Sequence, residues 1–188
     1  MQPAYGRTSG SIVDRALGVI QLKKPVFEEI EHDTNATGQA LVIVVAAAIA
    51  AAIGALGDPD RSGILWQAIL SIGGWIVFSV VAFFVGGTLL RSPQTDVSLG
   101  QVLRLVGFAQ APKIIGLLGF IPLIGWIFGL VAAILFIVVA IHALAAAFDT
   151  SLERGALIGI VAAIGWVVVA LVVALVTGIG AAFLSWLF

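Results

Sequence analysis

The chain has 188 residues, of which 61% are hydrophobic and only 10% charged, with a formal net charge of −1. A soluble domain carries about 25% charged residues, so this surface cannot be dressed for water and lipid must cover much of it. With so small a net charge nothing suggests a nucleic-acid footprint, and no nucleic-acid partner is expected. The lack of cysteine excludes disulfides, thiolate metal sites and cysteine nucleophiles.

A helix needs roughly 20 apolar residues to cross about 30 Å of hydrocarbon. The apolar runs of this chain fit about five such helices. The expected fold is all-α: a polytopic membrane bundle of five transmembrane helices with an N-terminal amphipathic surface helix. Residues 1–37 form a cytoplasmic segment on this reading, and residues 38–188 the five-span body. The first forty residues mix charges of both signs and lack an uninterrupted apolar core. No cleavable signal sequence is expected, and the first span directs insertion.

Residues 1–10 are small and polar. Over 12–22, Ile12, Val13, Ala16, Leu17, Val19 and Ile20 fall near one helical stripe. Asp14, Arg15 and Gln21 occupy the other side, which predicts a short amphipathic helix. Lys23 and Lys24 lead to Pro25, which suits a first helical turn. A short acidic surface helix follows over 26–32, with Glu28, Glu29 and Glu31. Asp33, Thr34, Asn35 and Thr37 are capping residues ahead of the first long apolar run.

Span one is expected over 38–56, and the breaker-rich stretch 57–63 ends it. Span two covers 64–90 and is long enough to tilt or protrude. A polar loop at 91–98 contains Pro93. Span three, over 99–121, is interrupted by Arg104, Gln110 and Lys113, and Pro112 removes a helical hydrogen bond. It reads as a kinked span; the alternative is an interfacial helix to Gln110 and a short re-entrant piece. Pro122 makes an apolar turn. Span four covers 123–147, a charged turn covers 149–154, and span five covers 155–187.

Lys and Arg set the orientation. Arg7, Arg15, Lys23, Lys24, Arg91, Arg104 and Arg154 fall on one side, and only Arg61 falls between spans on the other. The N-terminus is expected in the cytoplasm and the C-terminus outside.

Three stretches carry a family resemblance. The first is Phe27-Glu28-Glu29-Ile30-Glu31-His32-Asp33 running into Ala36-Thr37-Gly38-Gln39-Ala40. The second is Leu103-Arg104-Leu105-Val106-Gly107-Phe108-Ala109-Gln110-Ala111-Pro112. The third is Gly119-Phe120-Ile121-Pro122-Leu123-Ile124-Gly125-Trp126. Over residues 14–180 the chain resembles the Yip1 family of small five-span membrane proteins. The resemblance implies a five-span fold with a cytoplasmic N-terminus. Eukaryotic members engage Rab GTPases in vesicle traffic. This chain lacks their long N-terminal domain and their Asp-Leu-Tyr-Gly-Pro motif, which puts Rab binding in doubt. Its short form is similar to the bacterial and archaeal branch, which implies the cytoplasmic membrane of a prokaryote.

Each candidate for chemistry has a functional and a structural reading. Lys113 lies near mid-membrane depth, where ionisable groups are costly and often functional. Beside Gln110 and Pro112 it would pair with freed carbonyls or bind an anion; structurally, it would snorkel to an interface. His142 and Asp149 share a face, either as a proton-sensitive pair with Arg104 or Arg154, or with His142 bonded to a neighbouring helix. Asp149, Glu153 and Arg154 form a docking point or simply a solvated turn, with Glu153 favoured by the helix dipole. Glu28, Glu29, Glu31 and Asp33 are the candidate partner-binding surface, against a solvated juxtamembrane face. Asn35-Ala36-Thr37 is a chance glycosylation sequon.

Gly125, Gly129 and Ala133 recur at four-residue spacing, as do Gly155, Gly159 and Ala163, and Ala46, Ala50 and Gly54. Such stripes let helices approach closely in lipid, within the chain or in a homo-oligomer. His32 and His142 lie apart and no metal-ligand spacing exists, so no metal or other cofactor is expected. Nucleophile elbows, phosphate loops and paired intramembrane carboxylates are missing from the sequence.

The sequence therefore points to a non-enzymatic membrane protein that shapes, scaffolds or recruits at the bilayer. The alternatives are a small transporter with a polar path through Arg104, Gln110, Lys113 and His142, and an accessory subunit of a larger membrane complex.

Overall fold

The computed structural model of the chain describes residues 10–54, 64–91 and 97–187. The expected turn at 57–63 and most of the loop at 91–98 lie outside them. Among the described residues there are seven α-helices and no strand. They are α1 (Ile12–Ile20), α2 (Lys24–His32), α3 (Ala36–Gly54), α4 (Ile64–Phe84), α5 (Leu99–Phe108), α6 (Gly125–Ala147) and α7 (Leu152–Leu187). A π-helical turn, Val85–Leu89, extends α4, and a 3₁₀ helix, Ala111–Phe120, follows α5.

Five segments are long and apolar enough to cross a membrane: Ala36–Gly54, Ser71–Leu89, Leu99–Phe120, Gly125–Ala147 and Leu152–Val176. The third is the least apolar and the most enclosed. Half of it is buried inside the protein, against 11% of the fifth. The bundle thus shields its polar span from lipid and leaves its most apolar helix outside, as the cost of polar groups in hydrocarbon demands.

That third span departs from a simple Pro kink. Helix α5 opens on a capping box, in which the Ser98 hydroxyl accepts from the Gln101 N–H and the Gln101 side chain accepts from the Ser98 N–H. It closes at Phe108, before the proline. Pro112 then sits in the first positions of the 3₁₀ helix, where its missing N–H costs nothing. At about 1.5 Å per residue in α5 and about 2.0 Å in the 3₁₀ run, the two pieces reach roughly 35 Å, enough to span.

Close packing gathers around this span. Trp75 on α4 donates from Nε1 to the Leu103 carbonyl at 3.0 Å. A Cβ at Gly107 would lie 2.7 Å from the Ala40 Cβ, so α3 and α5 meet only because that position is glycine. At Gly54 a Cβ would lie 2.1 Å from the Gly116 carbonyl, which brings the end of α3 against the 3₁₀ helix.

The stripes of small residues divide. A Cβ at Gly125 would meet the Gly119 carbonyl at 2.0 Å, at Gly155 the Ile141 carbonyl at 2.8 Å, and at Gly159 the Leu144 side chain at 3.2 Å. At Gly129 it would meet nothing within 4 Å.

The turns are built by left-handed residues. Leu22 has φ 57°, with Leu22 N–H donating to Val19 and Lys23 N–H to Gly18. Asp149 has φ 45°, with its N–H donating to Ala146 and that of Thr150 to Ala145. Both pairs of bonds satisfy the carbonyls that end a helix. Leu123, in the Pro122 turn, has φ 69°, and its carbonyl accepts from Trp126 Nε1 at 3.0 Å.

Candidate functional site

Polar groups collect in two places. The first is the end of the bundle that carries α1 and α2. Arg15, expected on the polar outer face of α1, is instead buried at 2% exposure. Its Nε and Nη2 donate to Glu29 Oε1 at 3.0 and 2.8 Å, its Nη2 to Asp33 Oδ2 at 2.6 Å, and its Nη1 to Gln39 Oε1 at 2.9 Å. A guanidinium has enough fixed donors to hold three partners at once. The reversal has a cause: the acidic helix supplies charges that a buried arginine needs, and the backbone of Gly18 lets α1 approach Val26 on α2.

The outward side of α1 therefore carries Val13 and Leu17 beside the exposed Asp14 and Gln21. Val13 and Leu17, one turn apart, are 61% and 50% exposed, while Val19 is fully buried.

A second set of bonds fixes α2 to α5. Arg104 donates from Nε to the Ile30 carbonyl at 3.1 Å and from Nη2 to the Glu31 carbonyl. Gln101 Nε2 donates to Glu31 Oε1 at 3.0 Å. One glutamine therefore caps α5 and holds the buried Glu31. Of the four acidic candidates, Glu29 and Asp33 engage Arg15 and Glu31 engages Gln101. Glu28 stays exposed, with Lys24 at 3.7 Å.

Electrostatics follow from these contacts. The bond from Arg15 holds the Asp33 carboxyl below its ordinary range. Burial pushes Glu31 up, and the nearby Asp149 adds to it. Burial works to lower Arg15, but its bonds to Glu29 and Asp33 prevail and raise it.

A cavity of about 430 Å³ lies beside this network. Glu28, Glu31, His142 and Asp149 line it, with Lys24 and Phe27. His142 and Asp149 thus share one cavity. The His142 ring bonds through Nδ1 to the Val138 carbonyl of its own helix at 2.8 Å, not to a neighbouring helix. Among the described residues no group of three or more His, Cys, Asp or Glu is placed to hold a metal ion.

The second place is mid-bundle, a cavity of about 330 Å³ between α4, α6, α7 and the 3₁₀ helix. Ser71, Gln110 and Lys113 supply its polar wall. Trp75 and Phe78 come from α4, Phe136 from α6, and Trp166 from α7. The Lys113 ammonium lies 3.7 Å from the centre of the Phe136 ring. Phe136 is at the midpoint of α6 (Gly125–Ala147), about 16 Å along the axis from either end. Lys113 therefore lies level with the middle of α6 and not with either of its ends.

The four residues expected to form one polar path are not together. Gln110 and Lys113 line the mid-bundle cavity, His142 lines the other, and Arg104 binds backbone carbonyls of α2. The sequence reading missed Arg15 and the aromatic wall. An arginine in the short helix just ahead of an acidic one was the available signal for the first.

Comparison with curated proteins and with solved structures gives no match. The Yip1 domain family model matches residues 17–176, from within α1 into α7 and across all five candidate spans. That family is generally one of non-enzymatic membrane proteins. With its five apolar helices and a match over most of its length, the chain belongs to the Yip1 domain family.

Proposed function

We propose that this protein organises the cytoplasmic membrane of a prokaryote as a non-enzymatic scaffold, with its N-terminus in the cytoplasm. The observation that carries this reading is α1. Its arginine is turned inward and locked to α2, and Val13 and Leu17 are turned out beside Asp14. A helix so held lays its apolar face into the headgroup boundary. The bonds from Arg15 and Arg104 make α1, α2 and α5 one rigid base for it. The acidic segment serves as the anchor of that base, with Glu28 and the cavity beside it left for a partner. The excess of Lys and Arg at this end supports the orientation.

The test uses the absence of native cysteine. Single cysteines at Leu17 and Asp14 take an environment-sensitive label in vesicles containing phosphatidylglycerol. The reading expects an apolar signal at 17, a watery one at 14, and vesicle remodelling that the double variant V13E/L17E loses. A watery signal at both positions, with unchanged vesicles, would sink it.

One observation favours a second reading, a small transporter: the Lys113 cavity. Flux across liposomes that Lys113→Ala abolishes would support it.

A further inference from the structure

We propose that the mid-bundle cavity binds an amphiphile with a single anionic head, the head against Lys113 and the tail along the lipid-facing side of α7. The inference stands apart from transport, since a resident amphiphile suits a scaffold equally well.

Three observations converge on it. The first is charge. Among the described residues Lys113 has no carboxylate or carbonyl partner for its ammonium; its one contact of that kind is the Phe136 ring at 3.7 Å. Aromatic contact offsets part of the cost of a cation in hydrocarbon, and an anion offsets the rest.

The second is a further donor. The indole of Trp166 has no hydrogen-bond acceptor among the described residues, and it lines the same cavity. Its Nε1 lies over Gly74, 3.3 Å from where a Cβ would stand, so glycine there makes room for the ring. With the Gln110 amide, the cavity presents a cation and neutral donors but no carboxylate.

The third is shape. The cavity is about 330 Å³, at the small end for a ligand pocket, and aromatic walls with a few convergent polar groups are what such pockets share. It holds a head and the start of a chain. The wall on α7 is open: Trp166 is 40% exposed, and Ile164 and Val167 beside it are exposed as well. A tail leaving the cavity there meets apolar surface at the level of acyl chains.

A fatty acid and an anionic phospholipid share this chemistry. Purified full-length protein in mild detergent is titrated with 9,10-dibromostearate, with its methyl ester, and with phosphatidylglycerol carrying dibrominated chains. Bromine quenches tryptophan on contact, and Trp75 and Trp166 report. Saturable quenching by the acid about tenfold tighter than by the ester is expected. Lys113→Met removes that preference, Lys113→Arg keeps it, and Trp166→Phe removes most of the amplitude. Tighter quenching by the phospholipid assigns the site to a lipid headgroup, and tighter quenching by the acid to a free carboxylate. Equal quenching by acid and ester, or a preference that survives Lys113→Met, overturns the proposal. Retention of the preference in Lys113→Arg shows that loss in Lys113→Met is not misfolding.

Discussion

Arg15 and Asp33 are 18 positions apart in the chain, yet Arg15 Nη2 donates to Asp33 Oδ2 at 2.6 Å. The bond closes α1 onto the corner between α2 and α3, where Asp33 Oδ1 also accepts from the Asn35 N–H at 2.9 Å. Arg15→Ala therefore frees α1. Glu29 and Asp33 are partly exposed and regain water, so the loss is smaller than for a fully buried pair, about 1–3 kcal/mol. Thermal unfolding in detergent should fall by several degrees, and trypsin should cut faster after Lys23; Pro25 protects the bond after Lys24.

The two shifted acids act in opposite senses with pH. Asp33 is held low by Arg15, so its contribution is present above the ordinary carboxylate value and is lost as pH falls through the lowered one. Asp33→Asn should destabilise at pH 7, with the difference from wild type closing in strong acid. Glu31 is raised by burial. Its charged form costs stability as pH rises from the ordinary value through the raised one. Glu31→Gln keeps an acceptor for Gln101 and should raise the unfolding temperature at pH 7 while changing nothing below pH ~4. Melting curves of the three proteins across pH settle both signs.

Gly54 and Gly129 make a matched pair. A Cβ at Gly54 would stand 2.1 Å from a backbone carbonyl, which cannot rotate away; at Gly129 it would meet nothing within 4 Å. Gly54→Ala should cost about 1–3 kcal/mol as overpacking. Gly129→Ala should be neutral or gain up to about 1 kcal/mol from helix propensity. Size-exclusion recovery after heating separates them, and equal behaviour would contradict the packing described here.

Arg104 holds α2 by two carbonyls. Arg104→Ala leaves those buried acceptors unpaired, at about 1–3 kcal/mol. Arg104→Lys lacks the planar fork and should recover only part of it. Hydrogen exchange at the end of α2 should rise in that order: wild type, lysine, alanine.

The five spans were legible in the sequence, because hydrocarbon thickness and apolar run length fix them without knowledge of contacts; the surface helix was legible from its apolar stripe, and the family from three local stretches. Lys113 stood out for the same reason, as a charge inside an apolar run. What tertiary structure decided was which way the polar groups face. Periodicity put Arg15 on the outside of α1, because a helical stripe says which residues share a face and not which face meets the protein. The acidic helix that turns Arg15 inward comes from elsewhere in the chain. Pro112 announced a break in span three, but only packing against α3 and α6 turned the break into a 3₁₀ helix. The chain alone likewise grouped Arg104, Gln110, Lys113 and His142 by polarity. The fold separated them into an anchor, a mid-bundle cavity and a cavity beside α2, because adjacency across helices depends on rotation and depth, which no single helix records.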